Sequence, residues 1–222
     1  MESFKNALIF LWTKTINILY PTQCVICGKI CKDIICTKCL YNTKIEPKIE
    51  RYLDRNYEEH LYLFKYDGKI RNLILDYKFN DKAYLYEFFL KIILKNKKIC
   101  RKIKKYDIII PVPIHKKRKL QRGYNQSELI SKEIAKRFEK LKYENKCLIK
   151  EKNTKPQSTL SKYQRIQNVK QVYKLQNVQK IYNNKVILFD DIFTTGSTAN
   201  ECAKILKQNG AKEVLIFTIA KD

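Results

Sequence analysis

The stretch Val186-Ile187-Leu188-Phe189-Asp190-Asp191-Ile192-Phe193-Thr194-Thr195-Gly196-Ser197-Thr198 decides how the chain is read. Its first four residues are apolar without alternation, which predicts a central parallel strand covered by helices on both faces. The run ends at two adjacent acids, Asp190 and Asp191. Short hydroxylated residues then surround Gly196, which can take a positive φ and let a ligand approach the backbone. Beyond them Ala199, Cys202, Ala203 and Leu206 recur on one helical face. Strand, acid pair, small polar loop and helix N-terminus is the order in which an open α/β sheet builds a phosphate site at the carboxyl ends of its strands. Backbone N–H groups and the helix dipole would hold a phosphomonoester. The carboxylates would accept hydrogen bonds from ribose hydroxyls or hold a divalent cation. Asp, Thr and Ser are also ordinary helix caps, so a strand and a capped helix account for part of the pattern.

The residues D-D-I-F-T-T-G-S-T, Asp190 to Thr198, resemble the signature of type I phosphoribosyltransferases, which bind 5-phosphoribosyl-1-pyrophosphate. The resemblance implies that Asp190 and Asp191 bind the ribose 2′- and 3′-hydroxyls. It implies that Thr194, Thr195, Gly196, Ser197 and Thr198 bind the 5′-phosphate.

A second apolar strand, Ile108-Ile109-Ile110, is stopped by Pro111-Val112-Pro113 and followed by the basic stretch His115 to Gln126, read as a loop leading into a helix. That helix should bury Leu129, Ile130, Ile134 and Phe138. Arg118 and Arg122 can fork onto phosphate oxygens, and Gly123 permits a turn into the helix. This is the expected pyrophosphate partner of the first motif, with His115 as a further candidate that more often packs or hydrogen-bonds.

Charge and cysteines add two constraints. The 222 residues carry 46 Lys and Arg against 22 Asp and Glu, a net +24, which favours polyanionic partners. The cysteines are eight, and a cytosolic chain does not pair them as disulfides. Cys24-x-x-Cys27 and Cys36-x-x-Cys39 form two knuckles eight residues apart, the spacing of a closed, structural Cys₄ zinc site. Cys31 is a spare thiol inside the loop, while Cys100, Cys147 and Cys202 are expected as small buried apolar residues. The N-terminal run from Ala7 to Trp12 is too short to span a bilayer and no cleavage site follows it, so a cytoplasmic protein is expected. Leu8, Leu11, Trp12, Thr15 and Leu19 share a helical face, packed on the body or lying at a membrane interface.

The remaining segments are read more plainly. Residues 43–56 are polar and expected as a linker, residues 61–66 as a strand, and Ile70, Leu73, Ile74 and Tyr77 as the inner face of a helix. Arg71 and Lys78 then fall on its solvated side. Residues 91–105 are densely basic, a solvated segment or part of a footprint for single-stranded nucleic acid. Residues 153–168, between strands at 146–149 and 171–175, are expected as a long loop. The phosphoribosyltransferase resemblance implies that such a loop folds over the pyrophosphate, with Lys152, Lys155, Gln157 and Arg165 as its ligand-facing candidates. Val214 to Ile219 closes the sheet.

Taken together, the two C-x-x-C pairs, Y-D-G-K-I-R with K-F-N, P-V-P-I-H-K-K-R-K-L-Q-R-G-Y-N-Q and the ribose-phosphate signature resemble the ComF (ComFC) family from about Cys24 to Ala220. That resemblance implies a type I phosphoribosyltransferase-like α/β domain at 46–222, with a parallel sheet flanked by helices, behind a Cys₄ zinc module at 1–45. It implies a role in natural competence and DNA uptake, single-stranded DNA as partner, and a helicase-like partner, ComFA, in some species. Two functions follow from different classes. One is a DNA-binding competence protein with a phosphoribosyl pyrophosphate-type site. The other is an active Mg²⁺-dependent phosphoribosyltransferase, whose acceptor no segment marks.

Overall fold

The structure, a computed structural model, describes residues 21–43, 47–154 and 160–222. The expected N-terminal helix face, Leu8 to Leu19, and the loop candidates Lys155 and Gln157 lie outside the described residues. The chain divides into two compact units, Met1–Lys44 and Ile45–Asp222. In the first, Gln23 bridges Ile30 in antiparallel fashion around Gly28, whose φ is 73°. A short helix, α1 (Thr37–Asn42), follows, with the Cys36 sulfur accepting the Cys39 N–H at its start.

In the second unit the strands are β1 (Lys48–Arg51), β2 (Glu59–Lys65), β3 (Ile108–Pro111), β4 (Lys142–Tyr143), β5 (Leu148–Lys150), β6 (Tyr173–Leu175), β7 (Lys185–Phe193) and β8 (Glu213–Lys221). Its helices are α2 (Gly68–Phe79), α3 (Tyr86–Lys95), α4 (Lys97–Ile103), α5 (Lys116–Arg122), α6 (Gln126–Ala135), α7 (Lys162–Asn168) and α8 (Ser197–Gln208). The main sheet has the order β1-β2-β8-β7-β3-β4, while β5 and β6 pair by themselves. All its neighbours are parallel except β1 and β2. A parallel sheet flanked by helices is the architecture the motifs predicted. Ile109, Ile110, Val186 to Phe189 and Val214 to Phe217 are fully buried, which is why these strands are apolar without alternation. β3 and β7 are adjacent, so the turns leaving their carboxyl ends meet above the same sheet edge.

Several boundaries differ from those expected. β7 does not stop at Phe189 but runs through both acids to Phe193. β8 continues beside it, pairing Asp190 with Thr218 and Ile192 with Ala220, so the ladder has partners to offer. The expected linker contains β1, whose polar residues hid it. Glu50 on this strand accepts from the Tyr52 and Tyr62 hydroxyls at 2.6 and 3.0 Å and from Lys221 at 2.7 Å. Burial opposes the Glu50 charge, but Lys221 and the tyrosines hold its carboxyl down to about 2. Residues 116–122 are a helix, α5, closed by Gly123 at φ 75°. The loop expected over 153–168 contains α7, opened by a reciprocal Ser161–Gln164 capping box. α6 ends at Ala135, leaving Phe138 half-buried on the next turn. The basic run 91–105 is divided between α3 and α4, which bury Ile92, Ile93, Ile99 and Ile103. Lys102 in that run is ion-paired with Glu59. Among the described residues no helix is long and apolar enough to cross a membrane.

Since Ile187 is fully buried at the centre of the sheet, Ile187→Ala should cost about 2–5 kcal/mol in urea unfolding. Lys105→Ala, in the exposed turn after α4, should stay within about 0.5 kcal/mol.

Candidate functional site

Asp190 and Asp191 are consecutive on a strand, so they leave it on opposite faces and meet different partners. Asp190 accepts the Ser127 hydroxyl at 3.2 Å and the Asp191 backbone N–H at 2.9 Å. Asp191 is buried and ion-paired with Lys78 at 2.8 Å. Lys78 is therefore not on a solvated face, since its side chain is only 16% exposed. The reason lies in how α2 ends. The Tyr77 hydroxyl donates to the Gln126 carbonyl at 2.9 Å, and the Tyr77 carbonyl accepts from Gln126 Nε2 at 3.2 Å and from the Tyr124 hydroxyl. These bonds fasten the last turn of α2 to the start of α6 and aim Lys78 at the acid. Arg71 does lie exposed, as its spacing predicted.

Gly196 is required twice over. Its φ is 72°, and a Cβ there would come within 2.5 Å of the Phe193 ring. Phe193 in turn stacks on His60 with ring centroids 4.0 Å apart. His60 Nε2 shares a 2.8 Å hydrogen bond with the Thr218 hydroxyl, and burial lowers its pKa to about 3, so the ring is neutral. On this base the loop is self-bonded: the Thr195 and Ser197 hydroxyls lie 2.9 Å apart, and the Ser197 N–H donates to Thr195 Oγ1. α8, twelve residues long, starts here with glycine as its cap, and the Thr195 hydroxyl takes its first N–H.

The basic arm leaves β3 beside this loop. Asn125 caps α6 by accepting the Ser127 N–H at 3.0 Å and donates to the Val112 carbonyl at 3.1 Å, which locks the arm to the strand end. Arg122 donates to Gln126 at 3.3 Å and lies 4.8 Å over the Phe79 ring. Burial lowers its pKa, while the Asp191 charge opposes that fall. Arg118 donates to the Thr154 carbonyl at 3.1 Å. Lys150 lies 5.5 Å over the Tyr173 ring, and burial, then the Arg118 charge, hold its amine down to about 8.

The structure thus brings Asp190, Asp191 and Thr194 to Thr198 onto one strand–loop–helix unit, with Arg122 and Arg118 facing it from the arm. His115 serves as the N-cap of α5, its Nδ1 accepting the Lys117 N–H at 3.3 Å. Arg165 is not gathered in: its Nε donates to the Leu160 carbonyl at 3.0 Å, at the start of its own helix.

In the first unit, the sulfur atoms of Cys24, Cys27, Cys36 and Cys39 lie within 4.8 Å of one another, and Cys27 and Cys36 are 3.9 Å apart. A tetrahedron of sulfurs about 2.3 Å from a central ion has edges of about 3.8 Å. The four residues could therefore hold a metal ion. Burial opposes ionisation of Cys24, but backbone N–H groups of Cys36, Cys27 and Ile26 bring it down to about 6. Desolvation and the neighbouring sulfurs push Cys39 up to about 12. Cys31 stands apart, donating to the Asp33 carbonyl at 2.9 Å. Cys147 and Cys202 are buried as expected, whereas Cys100 is half-buried.

Competence protein F of Haemophilus influenzae is 31% identical to this chain over 153 residues, covering 67% of the chain and 66% of that protein. Competence protein ComFC of Streptococcus pneumoniae is 27% identical over 162 residues, 73% of the chain and 68% of that protein. DNA utilization protein YhgH of Escherichia coli K12 is 30% identical over 115 residues, 52% of the chain and 49% of that protein. The chain belongs to the ComF family. No family model matches it. The matched stretches span 49% to 68% of these relatives' own lengths.

In this ComF-family chain the acid pair carries a stored electrostatic cost. Burial, then the Asp191 charge, push the Asp190 carboxyl up to about 7, against the opposing pull of Lys78. Between about pH 4 and pH 7 the folded protein holds a proton that the unfolded chain has released, so stability falls as pH rises through that window. Asp190→Asn removes the titration and keeps the oxygen acceptor. It should stabilise the ligand-free protein by on the order of 1–2 kcal/mol at pH 8 and by much less at pH 4.5, read from urea unfolding at the two pH values.

Proposed function

We propose that this ComF-family protein acts in natural competence and DNA uptake, binds single-stranded DNA, and holds phosphoribosyl pyrophosphate or a related sugar phosphate. One observation carries the sugar-phosphate site: a buried strand delivers two carboxylates directly into a glycine-hinged hydroxyl loop at the start of a twelve-residue helix. The competence and DNA-utilization names of its relatives support the biological role, and the net charge of +24 supports a polyanionic partner. The protein works in the cytoplasm, alongside a helicase-like partner.

In this assignment Asp190 and Asp191 accept hydrogen bonds from ribose hydroxyls, and Thr194 to Thr198 with the α8 N-terminus hold the 5′-phosphate. Arg118 and Arg122, with the second ring nitrogen of His115, face the pyrophosphate. A cation suits the acid pair, because half-buried Asp190 stands beside a second, buried carboxylate with Lys78 as its nearby counter-charge. Bound Mg²⁺ would neutralise charge between ribose and pyrophosphate. The Cys24, Cys27, Cys36 and Cys39 cluster holds a structural zinc ion.

Calorimetric titration of phosphoribosyl pyrophosphate with Mg²⁺ tests the site. Binding is expected, and Asp190→Asn combined with Asp191→Asn should weaken it about a hundredfold, the loss of two charge-assisted hydrogen bonds. No heat from the wild type at millimolar ligand would contradict the assignment. For DNA, oligonucleotide affinity should fall linearly in log–log form with salt, and replacing Lys116, Lys117 and Lys119 with Ala should flatten the slope. Salt-insensitive binding would count against it. The protein should also contain stoichiometric zinc by elemental analysis, lost in Cys36→Ser.

The second reading, transfer of the phosphoribosyl group to an acceptor, is favoured by Arg118 and Lys150 standing close together where a leaving pyrophosphate needs cations.

A further inference from the structure

Beside the phosphate loop, on the outer face of α8, lies a cavity of about 310 Å³. Ser197, Asn200, Glu201 and Lys204 line it from one helix face, and Arg55 and Lys170 complete its walls. Its three cationic side chains stand against one carboxylate. Both walls are fastened to the helix. The Asn56 N–H and side-chain amide donate to Asn200 Oδ1 at 3.0 and 3.1 Å, which fixes the segment that carries Arg55. The Gln171 N–H donates to Glu201 at 3.2 Å, which fixes the turn that carries Lys170. That turn needs a positive φ of 53° at Gln171, a non-glycine residue held there by the surrounding contacts.

Ser197 belongs to the phosphate loop as well as to the cavity, so the two are continuous at the phosphate end of the site. The acids lie on the strand side of the same loop. Arg55, Lys170 and Lys204 are exposed, as suits contacts to a nucleic-acid backbone, where cations position a strand without reading its sequence.

We propose that this cavity is a second phosphate subsite and that it gives the bound DNA strand a direction. This rests on the ribose-phosphate assignment made above. The 3′-terminal nucleotide places its free 3′-hydroxyl on Asp190 and Asp191 and its 5′-phosphate on the loop. The strand continues from that phosphate past Ser197, and the next phosphodiester upstream enters the cavity between Arg55, Lys170 and Lys204. A 3′-phosphate is excluded, because it would face two carboxylates.

The test uses short oligothymidylates labelled at the 5′ end, identical except for a 3′-hydroxyl or a 3′-phosphate, with fluorescence anisotropy as readout. The 3′-hydroxyl form should bind about tenfold more tightly. Arg55→Ala with Lys204→Ala should weaken that binding about tenfold and reduce the salt slope by about 0.7, as expected for one lost single-strand phosphate contact. The same double variant should titrate phosphoribosyl pyrophosphate with unchanged affinity and melt at the wild-type temperature. Equal binding of the two oligonucleotides, or unchanged oligonucleotide affinity in the double variant, overturns the subsite while leaving sugar-phosphate binding intact. A wild type that fails to bind phosphoribosyl pyrophosphate overturns the underlying assignment, and the subsite with it.

Discussion

Two carboxylates on adjacent residues of a buried strand repel each other, and much of the second unit is arranged around keeping them there. The strand that bears them is held by β3 as far as Phe189 and by β8 through Phe193, so the ladder to β8 keeps the acids from fraying. Asp191 is neutralised by Lys78 and Asp190 is hydrogen-bonded by Ser127. Both partners come from helix ends that are themselves pinned, α2 through Tyr77 and Gln126, and α6 through Asn125 and the end of β3. The remaining cost shows in the raised Asp190 pKa. A group held in an unfavourable state by the fold around it is what the proposed sugar-phosphate site would use.

The hydroxyl loop from Thr194 to Thr198 depends on the same strand from its other end. Phe193, the last residue of β7, carries Gly196 on its ring and rests on neutral His60. In the proposed reading the ribose end and the phosphate end would be set by residues only a few positions apart on one rigid element, their separation fixed by backbone geometry and not by side-chain reach. The arginine arm is joined to this unit through Asn125, Gln126 and Tyr124, which explains why Arg122 stands close enough to Asp191 to feel its charge.

What could be seen in the sequence was what is local. The isoleucine run of β3, the apolar half of β7, the C-x-x-C pairs and the acid–loop–helix order each carry their signal in consecutive residues. The features that could not be seen depend on pairings across long separations. Lys78 looked solvated because its pairing with Asp191 depends on Tyr77 meeting Gln126, 49 positions away. His60 reaches Thr218 across 158 positions and left no motif. β1 looked like linker because its stabilising contacts are a glutamate, two tyrosines and a lysine, not an apolar face. The acids looked like the end of a strand because polarity stopped the apolar run, whereas the ladder to β8 extends past them. α5 looked like a loop, since a Pro-Val-Pro start and a cationic run conceal a helix that His115 and Gly123 cap at either end.

The central claim is that Asp190, Asp191 and the Thr194–Thr198 turn grip one sugar phosphate between them. The most direct measurement is a crystal structure of the protein soaked with ribose 5-phosphate. The account predicts the phosphate against the backbone at Gly196 to Thr198, at the start of α8, with the sugar hydroxyls on the two carboxylates and Lys78 still in place. Ribose 5-phosphate bound elsewhere, or lying with its hydroxyls turned from the acids, would contradict it.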